Sequence, residues 1–405
     1  MNIHDFNRLL EPDGEIAIEA ASELNPIERD FLQHYQVLQR SFPDELARPA
    51  LETAILREEA KKKFPFAERM FFIREALEQA SSYEVSSYRA NRYKGYSCLV
   101  DLGCSIGGDT IPLARIAPTI GIDRDRLRLA MARENLRNVG QPGDTILLQH
   151  DLADELPLAG DRELALFCDP SRRKRGRRVY SVNRYEPALN KLLAWQSGFP
   201  ALGVKISPGV DINELRKFDA ELEFISYKGA LKEAVLWFGP LKRKVRVATV
   251  LPGPHSIESD ETYGMEYSRF DRYKEEFQGV DPQAFIYEPD PAIIRAGMVR
   301  TLGRRLDAHQ LDPHIAYLTA AKSITTPFAR VWKIIDWMPF NLKKLRKYLR
   351  EHRIGQVIVK KRGSPIQPEE LINALRLEGE IERVLFLTQL RGRPIVIVGM
   401  QNQIS

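Results

Sequence analysis

The sequence predicts an α/β protein: a mostly parallel sheet with helices on both faces, preceded by a helical N-terminal region and followed by a small α+β module. Three observations carry that reading. From Tyr96 to about Pro252, short apolar runs alternate with helical stretches, the pattern of parallel strands with crossover helices. From Asp5 to about Ala90, apolar residues recur at helical spacing with no alternating run. After Ala329 the order becomes strand, helix, strand, helix, strand, strand.

The N-terminal helices are read from stripes such as Ile27, Phe31, Leu32, Tyr35 and Met70, Ile73, Leu77. Asn25-Pro26 reads as a helix start and Ser41-Phe42-Pro43-Asp44 as punctuation. The parallel strands fall at Cys98-Leu99-Val100, Thr119 to Ile122, Ile146 to Leu148, Leu164 to Phe167 and Leu202 to Ile206, mostly flanked by Asp, Gly or Pro. Glu223 to Tyr227, Ala234 to Phe238 and Val245 to Leu251 follow without long helices, so an antiparallel hairpin should finish the sheet. Gly253 to about Glu288 is rich in Gly, Pro, Asp and Tyr and reads as a long irregular connection. Pro291 to Leu311 reads as one helix, with Ile294, Met298, Leu302 and Leu306 on its stripe. The last block has strands at Ala329 to Ile335, Ile354 to Lys360, Ile381 to Leu387 and Pro394 to Val398, and helices at Leu342 to Glu351 and Pro368 to Ala374.

The chain has 405 residues, 28% charged and 43% hydrophobic, which suits two or three soluble domains. No run of about 18 apolar residues occurs, so no membrane partner is expected. The start, MNIHDFNRLLEPDGE, lacks the basic-then-apolar order of a secretory signal, and a cytoplasmic location is expected. Cys98, Cys104 and Cys168 form no CxxC pair, which argues against a disulfide framework and a metal site. No feature of the sequence bears on oligomeric state. The net charge of +5 is unevenly spread.

Val100-Asp101-Leu102-Gly103-Cys104-Ser105-Ile106-Gly107-Gly108-Asp109 follows the first strand and opens a helix. Small residues there let backbone approach a ligand, and the helix start offers free N–H groups. Asp123 ends the next strand, where a carboxylate can accept from both ribose hydroxyls. A dinucleotide loop would read G-x-G-x-x-G, but Ser105 holds the second glycine's place and Asp101 and Asp109 bracket the turn. A pyrophosphate would be repelled there, whereas a cationic sulfonium bearing an ammonium would be attracted. Asp151 follows the third strand. Each aspartate alone is equally well a loop or helix cap; three at successive strand ends are harder to explain that way.

Beyond the fourth strand lies Asp169-Pro170-Ser171-Arg172-Arg173. A carboxylate and a rigid carbonyl there would hydrogen-bond the N–H groups of an exocyclic base amine and free its lone pair. Arg172, Arg173, Lys174, Arg175, Arg177 and Arg178 surround Gly176, with Tyr180 and Tyr185 just after. Such a run beside a reaction site reads as a phosphate clamp with stacking platforms, against the plainer reading of a solvated basic face. Lys343, Lys344, Arg346, Lys347, Arg350 and Arg353, then Lys360, Lys361 and Arg362, repeat the bias near the C-terminus. Cys104 and Cys168 read as packing residues, since no Pro-Cys motif supports a catalytic thiol.

The acidic glycine loop resembles the D-x-G-x-G-x-G loop of class I S-adenosylmethionine methyltransferases. Asp169 to Arg172 is similar to the [D/N/S]-P-P-aromatic motif of amino-group methyltransferases, with Ser171 for the second proline and Arg172 for the aromatic. Together with Phe72 to Ser81, Tyr287 to Ala292 and the final module, the chain resembles bacterial class I methyltransferases with a THUMP-like C-terminal domain. The resemblance covers most of the chain after about residue 60. It implies a helical region over 1–90, a Rossmann-like methyltransferase core with a seven-stranded sheet over 91–284, a small ferredoxin-like segment over 285–328 and a THUMP-like domain over 329–405. It also implies S-adenosyl-L-methionine as cofactor, held by Asp101, Gly103, Cys104 and Gly107 at its amino-acid end, Asp123 at the ribose and Asp151 at the adenine. Phe72 to Ser81 would pack against the methionine end. Asp169 and Pro170 would orient the target, with Ser171, Arg172, Arg173, Arg175, Tyr180 and Tyr185 contacting substrate. THUMP domains proper bind RNA, so tRNA or rRNA is the expected partner and a base nitrogen the expected target. Two alternatives stay open: a small-molecule or protein substrate, and an RNA-binding protein with a decayed core, of which Ser105 and Arg172 would be the signs.

Overall fold

The computed structural model describes residues 1–140, 144–174, 177–260 and 279–401. They form two compact units, one of residues 1–222 and 233–243, the other of 223–232 and 244–405.

The first unit begins with α1 (Ile3–Leu9), α2 (Pro12–Glu23), α3 (Phe31–Leu38), α4 (Asp44–Ala60), α5 (Arg74–Gln79) and α6 (Tyr83–Ala90). Pro12 occupies the first turn of α2, and Asp44 and Glu45 the first turn of α4. Neither arrangement wastes a backbone donor, and the acids complement the helix dipole. The expected stripe at Ile27 and Leu32 does not face the core: those residues are 47% and 74% exposed. Met70 and Ile73 precede α5 in extended chain, and Met70 is buried there.

The α/β part follows: β1 (Cys98–Leu102), α7 (Thr110–Ala114), β2 (Thr119–Asp123), α8 (Arg126–Asn138), β3 (Thr145–Gln149) and β4 (Leu164–Cys168). A two-rung ribbon of β5 (Arg173–Lys174) and β6 (Arg177–Arg178) precedes α9 (Leu189–Ala194), β7 (Ala201–Ile206) and α10 (Ile212–Leu215). Then come β8 (Ala220–Tyr227) and β9 (Ala230–Phe238). In this unit the strand order is β9-β7-β4-β1-β2-β3. β7, β4, β1, β2 and β3 are parallel and β9 is antiparallel to β7. All of β7 is buried, as expected of a strand covered on both faces. At Gly203 any Cβ would overlap the Tyr93 hydroxyl and the Trp237 ring, so glycine is the residue that lets them pack.

One core joins the helices to the α/β layer, with Phe64, Phe72, Ile106, Ile111 and Met131 in the same cluster. Asn135 of α8, fully buried, ties the two parts together. Its Oδ1 accepts the Phe71 N–H at 2.6 Å, and its amide donates to the carbonyls of Phe71 at 3.0 Å and Ile106 at 2.9 Å.

The second unit holds β10 (Arg246–Leu251) paired antiparallel with β11 (His255–Ser259). After them come β12 (Phe285–Pro289), α11 (Pro291–Arg295), α12 (Val299–Leu306), β13 (His309–Asp312), β14 (Ile315–Ala320) and β15 (Ala329–Pro339). The chain ends with α13 (Leu342–Glu351), β16 (Ile354–Lys361), α14 (Pro368–Leu375), β17 (Ile381–Leu390) and β18 (Arg393–Gln401). Three expectations change here. The irregular connection contains β11 and the start of β12, while residues 261–278 of it lie outside the described residues. The single helix expected over 291–311 is two, separated at Gly297, whose φ of +70° no helix continues, and the second ends at Leu306, the last of the expected residues lying in β13. The segment over 285–328 is no separate module: its strands share one seven-stranded sheet, β13-β14-β12-β15-β18-β17-β16, with residues 329–401. α13 and α14 cover one face of that sheet through Leu345, Leu349, Leu371 and Leu375. Among the described residues, no helix is long and apolar enough to cross a membrane.

Candidate active site

A cavity of about 330 Å³ lies at the carboxyl ends of β1, β2, β3 and β4. The strand order reverses between β1 and β4, the place where open parallel sheets bind ligands. After β1 the chain turns through Gly103, with φ +84°, and Ser105, with φ +50°. A left-handed serine is disfavoured relative to glycine, and here its N–H is fixed by the Asp123 carboxylate at 2.9 Å. The Gly103 and Cys104 N–H groups both donate to the Ile122 carbonyl, at 2.8 and 2.9 Å, locking the turn to β2.

Gly103, Cys104, Ser105, Asp109, Asp123, Asp151, Asp169, Ser171 and Tyr185 all line the cavity. Glu75, Ala76, Gln79 and Ala80 of the segment 72–81 line it as well, as does Glu186, and Arg124, Arg128 and Lys191 contribute cations. Asp123 accepts a second N–H, from Asp125, at 2.8 Å. Asp151, its side chain 45% exposed, accepts the Ala153 N–H at 2.8 Å and lies 3.9 Å from Arg124. Ser171 and Glu186 exchange backbone hydrogen bonds of 2.8 and 3.0 Å, closing the excursion that carries the arginine ribbon. Tyr185, 3% exposed, donates from its hydroxyl to the Tyr180 carbonyl at 3.3 Å and accepts the Ser207 N–H at 3.2 Å.

The structure places other expected residues elsewhere. Asp101 is 1% exposed and lies behind the cavity wall, accepting the Thr110 hydroxyl at 2.6 Å. Burial, then the nearby Asp109 charge, pushes its carboxyl up to about 8. Gly107 packs against Ala132 instead of the cavity, and Pro170 is buried and does not line it. Arg172 is half-buried and Tyr180 is 56% exposed, and neither lines the cavity. Arg175 lies outside the described residues, as do the side chains of Arg173 and the rest of the ribbon. Burial pushes the thiols of Cys104 and Cys168 well up, which suits packing and not nucleophilic attack.

The sequence reading passed over the polar layer beneath the cavity. Arg89 of α6, with 2% of its side chain exposed, pairs with both Asp109 and Glu233. Burial alone would lower its guanidinium pKa, but those carboxylates reverse this and hold it raised. Lys205 of β7, 4% exposed, donates to Asp169 Oδ2 at 2.5 Å and to the Ser81 hydroxyl at 3.0 Å. A lysine inside the run Leu202-Gly203-Val204-Lys205-Ile206 was the available signal, since an unpaired buried ammonium is costly.

A parallel sheet that reverses beside a left-handed glycine turn, with carboxylates converging on the cavity there, defines a Rossmann-like protein that binds a cationic nucleoside ligand. The donor set fits a sulfonium, its ammonium and a ribose better than a pyrophosphate. Comparison with known proteins agrees: two S-adenosylmethionine-dependent methyltransferases of Mycobacterium tuberculosis, strains CDC 1551 and H37Rv, both described as uncharacterized, are each 33% identical over 352 residues, 84% of this chain and 92% of theirs. The chain belongs to the S-adenosylmethionine-dependent methyltransferases, with S-adenosyl-L-methionine as cofactor. Residues 329–401 match the THUMP domain-like family. A crystal structure of a proposed methyltransferase from Porphyromonas gingivalis W83 shares the fold, with a TM-score of 0.76 over 93% of this chain and 100% of that one, at 22% identity. The trimethylguanosine synthase of Schizosaccharomyces pombe is 32% identical over 129 residues, 30% of this chain and 54% of its own.

Proposed function

We propose that the protein transfers a methyl group to a base nitrogen of RNA, an exocyclic amine. The observation that carries this reading is Asp169 on the cavity wall, on a turn pinned by the Ser171–Glu186 bridge and continuing directly into the arginine ribbon. Its carboxylate would accept an N–H of the amine and hold the lone pair toward the sulfonium carbon. Pro170 acts by shaping that turn. Asp123 is assigned to the ribose, Asp151 to the adenine, and the Gly103-Cys104-Ser105 turn to the amino-acid end of the cofactor. Asp109 takes the role expected of Asp101, since it lies on the cavity wall. The THUMP-like module supports an RNA substrate, and the S. pombe relative is named for a methylated guanosine.

Mass spectrometry of RNA nucleosides from cells lacking the gene tests this reading against the parent strain. One base N-methylated nucleoside should disappear and return on complementation. Identical nucleoside profiles would remove RNA as the substrate.

A further inference from the structure

Asp109 and Asp169 line the same cavity and are joined behind its wall by one continuous chain of charge. Asp109 pairs with Arg89, and Arg89 with Glu233. Glu233 accepts the Ser81 hydroxyl at 3.1 Å, and the Ser81 oxygen accepts from Lys205 Nζ at 3.0 Å. Lys205 then reaches Asp169 Oδ2 at 2.5 Å. Signs alternate along the path, with the Ser81 hydroxyl between Glu233 and Lys205. The side chains of Arg89, Glu233 and Lys205 are only 2%, 2% and 4% exposed.

Lys205 does not line the cavity. It stands one residue past Val204, which is paired with Cys168, itself one residue before Asp169. Every residue of its strand is buried, so packing alone would be served by an apolar side chain.

We propose that Lys205 is a positioning residue for the methyl acceptor. It clamps one oxygen of Asp169 so that the other meets the target amine, and through Ser81, Glu233 and Arg89 it sets that carboxylate in register with Asp109. This rests on the reading of Asp169 as the group that receives the amine. In the transfer, the N–C bond forms as the C–S bond breaks and its electron pair stays on sulfur. The nitrogen loses a proton to Asp169, which returns it to water; Lys205 only holds Asp169 in place.

The test uses the full chain, S-adenosylmethionine carrying a tritiated methyl group, and RNA from cells lacking the gene. K205M should lower kcat by about 100-fold, the scale of a 1 Å misplacement. The KM for RNA and the calorimetric Kd for S-adenosylmethionine should stay within about threefold. K205R should regain at least about tenfold of that loss. S81A, which removes only a hydroxyl, should lower kcat by about fivefold with cofactor affinity intact. A K205M kcat within about threefold of wild type would overturn the proposal. So would a joint loss of kcat and cofactor binding in both K205M and S81A, the mark of a merely structural role. If the wild-type enzyme binds cofactor yet labels no RNA, the reading of the substrate fails in that arm by itself and carries this inference down with it.

Discussion

Asp101 shows why motif spacing and side-chain direction are separate questions. Its position in the acidic glycine loop predicted contact with the cofactor, yet the carboxyl turns inward to Thr110 while Asp109 reaches the cavity. Spacing fixes which loop approaches the ligand; the alternation of β1 turns Asp101 away from it, and Asp109 reaches the cavity from the start of α7. The buried carboxyl has a measurable consequence. Its pKa is about 8 in the fold against 3.8 in a free side chain, so the folded state holds the proton more tightly. The stability that this preference supplies is complete below about pH 4 and is withdrawn as pH rises toward about 8. D101N should abolish this slope. Its melting temperature should match wild type at about pH 4 or below and exceed it by several degrees near pH 9, read by thermal melts of the cofactor-free protein. Parallel curves for the two proteins would show that another group titrates.

At the scale of elements, parallel strands were legible because most of the apolar runs are bounded by Asp, Gly or Pro, and helix α13 has the expected bounds, its start capped by Asn341, which accepts the Lys344 N–H at 3.0 Å. Helical periodicity misled where a break is local: a run with a clean stripe over 291–311 is cut by a single left-handed glycine. Contacts between elements were not legible at all. Nothing in the spacing of α8 announces that Asn135 satisfies both backbone groups of Phe71 and the carbonyl of Ile106. N135A would leave three buried polar groups without their partner, each costing about 1–3 kcal/mol. Chemical denaturation should show a loss of at least about 2 kcal/mol. Because Ile106 follows the Gly103-Cys104-Ser105 turn that we propose holds the cofactor, S-adenosylmethionine affinity should fall with it; an unchanged affinity would mean that the turn holds its shape unaided.

Across the whole molecule, the acidic cavity and the basic C-terminal helix were both readable as charge, whereas the pairing of the buried Arg89 was not, since its partners Asp109 and Glu233 lie 20 and 144 residues away in sequence. Lys343, Lys344 and Lys347 of α13 are exposed, as an RNA-facing surface requires. On the RNA reading, K343E/K344E/K347E should weaken RNA binding by at least about tenfold at 150 mM salt. The dependence of log K on log salt should become shallower by about two units, while cofactor affinity stays unchanged. Filter binding over a salt series measures both. The path of the polypeptide adds a constraint of a different kind. The second unit takes residues 223–232 and the first reclaims 233–243 before the second resumes at 244, so the backbone crosses between them three times, at 222/223, 232/233 and 243/244. No single scission can liberate either unit with its full complement of residues. On the ribosome, the first unit lacks its final strand until translation has passed β9, by which point the leading portion of the second has already emerged.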